Sequence, residues 1–549
     1  MSVINAPLVR SRFAIRTHVQ IAALVVPGVL YVVALAMRLA TIWIVPFTLN
    51  EGSAYYVTVA RNIATGRGPV IDALWSYGTP PLALPRAAFE LWQPFASYLA
   101  AAPMALLGPG LSTAQLAFAV FGALLAPLTW WIAADAARRL ALPADRQRAV
   151  AIGSGLLAAV AAPFVLAAAV PDSTLPFTVV AAAACVAMPV AARGNGRAVV
   201  ALGVLLGVAY LTRLEAVYLG IVFVAFTWSV GARGRLLVGR IGAVVVIVAL
   251  VALPWWLRNQ AAFGTPMPGQ LAQNLFLTSN LQIFAFTGQP TLAGFLGQGP
   301  AVILSNIGAA GWHDFVDVLL IPATVIVVVG VTAALAGWRR RSDLARSPLA
   351  ALLIYGVIAF AVTSALFPVA TLFGTFAHAS GPLLVGLIVL TALGTDAFVA
   401  RVRQWRQWSR ANLWLAPAAL VALSMPMTVF QLAAAGQQAR DGQQQVAAAA
   451  AVVRAAMPLD VTKPLISDRP IWLSDALGVP AIALPAEGAQ SVLALARTFG
   501  ATAVVVVDTQ ERGPAGLVAE APSCFTPLPA TSMLGAPDLT VLEIAEDCR

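Results

Sequence analysis

The sequence predicts an α-helical polytopic membrane protein of about eleven transmembrane helices, followed by a small C-terminal α/β domain. Three observations predict it. Of the 549 residues, 60% are hydrophobic and only 10% are charged, with a mean hydropathy of +0.85, which is more apolar surface than a water-soluble core uses. Apolar runs recur, most of them long enough to carry a helix through a hydrocarbon layer about 30 Å thick. Past residue 435 the pattern changes: "QQARDGQQQVAAAAAVVRAAM" reads as a helix, and short β-prone runs ("PAIALP", "ATAVVVVD", "LTVLEIA") then alternate with helix-like ones.

The first run, Ile21 to Val45, follows the basic residues Arg10, Arg12 and Arg16. It is longer than a signal-peptide core and no small-residue cleavage site follows it, so it reads as a retained span. Further spans are expected at roughly 112–134, 149–170, 174–192, 198–212, 215–230, 241–257, 316–336, 349–367, 379–399 and 412–434. Arginine-rich connectors fall after every second crossing: "ARRLALPADRQR", "RGNGR", "RGRLLVGR", "RRRSDLAR" and "RVRQWRQWSR". With the N-terminus they mark one cytoplasmic face, and an odd number of spans puts the tail on the other side. The net charge of +10 is therefore a product of topology, and no nucleic-acid partner is expected. The expected location is the bacterial inner (cytoplasmic) membrane, multi-pass, with the N-terminus cytoplasmic.

Two outer loops are long, 46–111 and 258–315. The first holds "FASYLAAAPMALLG", too short to span comfortably and suited to an interfacial or re-entrant helix. The expected division is a membrane domain over 1–435 and a soluble extracytoplasmic domain over 436–549. Three cysteines are too few for a disulfide framework. Cys185 lies in an apolar run, while Cys524 and Cys548 share the tail and either pair there or stay free, depending on its compartment.

Charge placed against this oily background marks the candidate chemistry. Glu51 follows the first span in "LNEGSAYYVTVARNIATGRG". It begins a helix on which Glu51, Tyr55, Thr58 and Asn62 share a face, ended by Gly66 and Gly68. Such an acid either serves a cavity or sits at the helix N-terminus for the helix dipole alone. Asp172, in "VPDSTLPF", is open to the same two readings, as a helix cap or as a second cavity acid. Arg38, Arg213 and Arg258 lie away from the cytoplasmic clusters. A guanidinium at that depth needs an anion, and phosphate oxygens fit its fork, with an internal pair such as Arg213 with Glu215 as the alternative. His378 opens the tenth span on the outer side. No metal-type spacing, P-loop or dinucleotide fingerprint appears, so no cofactor is named, and use of a divalent metal stays open.

Five strings occur in order on the outer side of the membrane: "LNEGSAYYVTVARNIATGRG", "VPDSTLPF", "GVAYLTRLEAVYLG", "PWWLRNQAAFGTPMPG" and "GTFAHASGPLL". Together they resemble the C-type integral membrane glycosyltransferases, in particular the bacterial relatives of the protein O-mannosyltransferases and the lipid A aminoarabinose transferase. In that family the first outer loop carries an Asp-Glu pair; here it is Asn50-Glu51, and Asp172 matches the second outer-loop acid. The resemblance implies a polyprenyl-phosphate-linked monosaccharide donor, inversion at the anomeric carbon, and an extracytoplasmic protein, lipid or glycan acceptor hydroxyl. Glu51 or Asp172 would take the hydroxyl proton. Arg213 and Arg258, with Arg38, would hold the leaving phosphate, beside a pocket of Asn50, Tyr55, Glu215 and His378. A lipid or solute transporter and a catalytically inactive scaffold are the competing readings.

Overall fold

A computed structural model describes residues 8–269, 271–337, 341–407, 414–508, 515–528 and 539–549. The side chains of Arg10, Arg12, Arg16, Arg339, Arg340, Arg341 and Arg410 lie outside the described residues. The apolar runs are helices. In order come α1 (Leu8–Ile44), α2 (Glu51–Ala64), α3 (Phe95–Leu107), α4 (Leu111–Ala123), α5 (Leu125–Arg139), α6 (Ala144–Val160), α7 (Ala162–Ala169), α8 (Thr174–Ala192), α9 (Gly196–Tyr210), α10 (Ala216–Ser229) and α11 (Gly234–Phe263). The helices Pro300–His313, Thr324–Ala336, Pro348–Leu366, Gly381–Trp405 and Leu415–Ala456 complete the bundle. Among the described residues, 7 stretches are long and apolar enough to cross a membrane, or up to 9 if each of two bent pairs is one span. The two remaining expected spans are the shorter apolar helices α9 and α10, of 15 and 14 residues.

The two broken spans have physical causes. Between α6 and α7 the axis bends by 41°. Pro163 has no N–H, so the carbonyl of Ala159 loses its helical donor, and the carbonyls on either side lose theirs to the bend. Arg38 donates to Ala159 O at 3.3 Å and Ala158 O at 3.4 Å, as well as to Ala34 O in its own helix. Thr428 Oγ1 donates to Val160 O at 2.6 Å. All three freed carbonyls are thus satisfied where water is absent.

The second break differs from the single span expected at 316–336. Helix Pro300–His313 runs into a π-helical stretch, Asp314–Leu320, and a 109° bend then separates it from Thr324–Ala336. Pro322 lies in the bend. Buried Asp314 accepts from Ser364 Oγ at 2.9 Å and Thr371 Oγ1 at 2.9 Å, which fixes the wide turn against its neighbours.

Outside the bundle, the first outer loop forms a two-stranded pair, β1 (Val70–Ile71) with β3 (Arg86–Ala87), and contributes β2 (Ala73–Leu74) to a larger sheet. The other strands of that sheet are β4 (Leu465–Ser467), β5 (Ala481–Ala483), β6 (Ala503–Val506), β7 (Phe525–Pro527) and β8 (Thr540–Ile544). The order is β2-β5-β4-β6-β8-β7, parallel from β2 to β6 and antiparallel thereafter. The small α/β unit therefore shares its edge strand with the loop that carries Glu51. Helix Leu415–Ala456, with 42 residues and so about 63 Å long, rises from the bundle into this unit. Cys524 and Cys548 form a disulfide, whereas Cys185 is free and buried.

Candidate active site

Glu51 is the first residue of α2, and its neighbour Asn50 is the N-cap, accepting from Ser53 N at 2.8 Å. Asn caps a helix as well as Asp does, so the amide in place of the resemblance's first acid still performs the capping. Glu51 is itself 8% exposed. Its Oε1 accepts from the backbone amides of Ile471 at 2.8 Å and Trp472 at 3.0 Å. These are two unsatisfied donors at the start of the helix Pro470–Leu477, where proline occupies a position that needs no N–H. Oε2 has no protein partner among the described residues. Burial pushes the Glu51 carboxyl up to about 8, although the Trp472 amide, the Arg469 guanidinium and the Ile471 amide all oppose the shift.

Asp172 takes both roles read from the sequence. Its Oδ1 accepts from Thr174 N at 2.7 Å, and its Oδ2 lies 3.4 Å from His378 Nδ1, which also meets Thr174 Oγ1 at 2.6 Å. Burial works against its charge, but His378 and the Thr174 contacts outweigh that, and its pKa lies below the usual carboxylate range. Arg213, in the connector between α9 and α10, donates to Ser173 Oγ at 2.7 Å and to Glu215 Oε1 at 2.6 Å. Its Nε is buried without a partner among the described residues.

Glu51, Asp172, Arg213, Glu215, His378 and Asn50 all line one cavity of about 1200 Å³. Gln115, on α4, donates to Val45 O and Ala169 O, each at 2.9 Å, which ties the ends of α1 and α7 together.

Three expected residues are not brought there. Arg38 is spent on the carbonyls of the broken span. Arg258 donates to Ala88 O at 2.7 Å and Pro69 O at 3.2 Å, clamping the β1–β3 pair against α11. Tyr55 faces a cluster with Phe89 and Trp92, and its neighbour Tyr56 lines the cavity instead. Conversely, the tail supplies Asp468, Arg469, Trp472 and Asp508 to the cavity wall, and no motif reading singled these out. The usable signal was "SDRPIW", where Arg-Pro opens a helix whose free amides call for an anion. Among the described residues, no group of three or more His, Cys, Asp or Glu gathers as a metal site would need.

No family model and no curated protein matches the sequence. Solved structures do match. ArnT from Cupriavidus metallidurans in the apo state is similar over 95% of this chain and 98% of that one, with a TM-score of 0.56 and 16% identity. The same protein bound to undecaprenyl phosphate gives 0.55 and 15%, with the same coverage. The fold is that of ArnT. At this identity the likeness concerns the path of the backbone. Because the ArnT match extends over nearly the whole of both chains, the α/β unit and the bundle are matched together.

Proposed function

We propose that the chain is an inverting glycosyltransferase that moves a monosaccharide from a polyprenyl-phosphate donor to an acceptor hydroxyl on the extracytoplasmic side of the bacterial inner membrane. The observation that carries this is the convergence of Glu51, Asp172 and Arg213 on one cavity. An ArnT-like fold, one of whose solved forms holds undecaprenyl phosphate, supports the lipid-linked donor. The disulfide in the tail supports an oxidising compartment for the soluble unit.

In this reading Glu51 is the general base. Its Oε2 is open to the cavity, whereas both oxygens of Asp172 are engaged by Thr174 and His378. The acceptor oxygen attacks the anomeric carbon from the face opposite the phosphate, and its proton passes to Oε2 as the new C–O bond forms. The bond from the anomeric carbon to the phosphate oxygen breaks, and the lipid phosphate leaves with the electron pair. Arg213, held in place by Ser173 and Glu215, sets its positive charge at the cavity wall for the developing charge. Asp172 is a positioning acid that keeps His378 against Thr174.

The test uses purified protein in lipid with a labelled polyprenyl-phosphate sugar. Glu51→Gln is expected to fold and insert normally but to release no lipid phosphate; wild-type release by that variant would remove Glu51 as the base.

A further inference from the structure

The part of the cavity lining that the tail supplies has a chemistry of its own, and it bears on the acceptor. It is built from the outer part of the helix Leu415–Ala456 and from the segments around 468–472 and 507–508. On the helix, Gln438, Asp441 and Gln445 recur at helical spacing along one face, and all three line the cavity. Gln438 and Gln445 are exposed and make no protein hydrogen bond among the described residues, so their amides are available as paired donors and acceptors. Trp472 sets its ring at the same wall, with its Nε1 fixed to Thr48 Oγ1 at 2.9 Å.

Charge on this wall argues against an anionic acceptor. Asp441, Asp468 and Asp508 line this wall with one guanidinium among the described residues, Arg469. That guanidinium is flanked by two of them, at 3.9 Å from Asp468 and 3.6 Å from Asp508. Arg213, which lines the same cavity, has committed two of its nitrogens to Ser173 and Glu215. One phosphate, that of the donor, is what the available cations match, and a second would meet carboxylates. Amides, carboxylates and an indole face are together suited to hydroxyl groups and to the apolar face of a sugar ring.

We propose that the acceptor is an uncharged, hydroxyl-rich oligosaccharide that lies along Gln438, Asp441 and Gln445 against Trp472. The inference rests on the transferase reading above and narrows it to one acceptor class. The closing experiment offers the full-length protein in lipid, with labelled donor, three acceptors in parallel: a neutral oligosaccharide mixture, a phosphorylated glycolipid, and a Lys-rich peptide carrying Ser and Thr. Label is expected on the neutral oligosaccharides. Gln445→Leu is expected to raise the oligosaccharide KM roughly three- to tenfold, the scale of one lost hydrogen bond, and to leave the donor KM unmoved. Label on the glycolipid or the peptide, with none on the oligosaccharides, overturns the inference while lipid-phosphate release upholds the transferase reading. Absence of lipid-phosphate release with every acceptor overturns both.

Discussion

Glu51 lies between the N-termini of two helices, its own and Pro470–Leu477, yet burial dominates and pushes its carboxyl up to about 8 from an ordinary 4.5. As a base it must lose its proton, so transfer is expected to rise with pH to an inflection near 8 and then level off. A pH profile of single-turnover transfer that is flat across neutral and alkaline pH would contradict that assignment. The stability effect has the opposite sense. Between about 4.5 and 8 the folded protein holds this proton and the unfolded chain does not, so the group's contribution to stability falls as pH rises through that window. At Arg213, Lys keeps the charge and loses the fork that grips Ser173 and Glu215 at once. Arg213→Lys is therefore expected to lower kcat about a hundredfold, the lower end of the scale for losing one preorganised donor to a developing anion because the charge is kept; an unchanged kcat would show that Arg213 is not needed for the leaving phosphate. At this scale the sequence was partly legible. A carboxylate at a membrane edge is costly wherever it stands, so Glu51 and Asp172 stood out. Arginines stand out as readily, but their partners do not, because a freed backbone carbonyl satisfies a guanidinium as a phosphate does.

The span formed by α6 and α7 shows the same ambiguity at the scale of an element. Its run of apolar residues reads as one span over 149–170, and nothing local reveals the break or that the donor for the carbonyls of Ala158 and Ala159 sits more than a hundred residues away, on α1. Arg38→Met leaves the carbonyls of Ala158 and Ala159 without donors in a dry region. At about 1–3 kcal/mol for each of the two orphaned groups, the variant is expected to lose about 2–6 kcal/mol. Thermal denaturation in detergent would register this as a lower midpoint. Pro163→Ala in the same background should recover part of the loss by restoring one helical donor, a coupling that a double-mutant cycle measures. A raised donor KM with an unmoved midpoint would instead make Arg38 a phosphate ligand. The other broken span was less legible. Periodicity alone reads 316–336 as one helix, because the π-helical stretch is set by buried Asp314 reaching Ser364 and Thr371, residues far along the chain.

Across the whole molecule, the soluble unit and the membrane bundle meet at the proposed base, and this was the least legible feature. β2 is only two residues long, below anything an alternation pattern detects, yet it makes the first outer loop the edge of the tail's sheet through β5. One measurement on the tail therefore locates the cavity as well. Cys524 and Cys548 are joined, while Cys185 is free and buried within the bundle. In intact cells whose outer layers are permeable to small reagents, a membrane-impermeant maleimide is expected to leave all three unlabelled until a reductant is added. It should then label the two tail cysteines and spare Cys185. Opening the bond should also destabilise the β7–β8 end of the sheet by about 3 kcal/mol, the scale for a loop of a few tens of residues, where the sequence separation is 24. Labelling only after the membrane is breached would place the tail in the cytoplasm. Because β2 and β5 are hydrogen-bonded neighbours and Glu51 accepts from Ile471 and Trp472, Glu51 and the cavity would move to that side with it. The transfer would then have to draw on a donor presented at the inner leaflet.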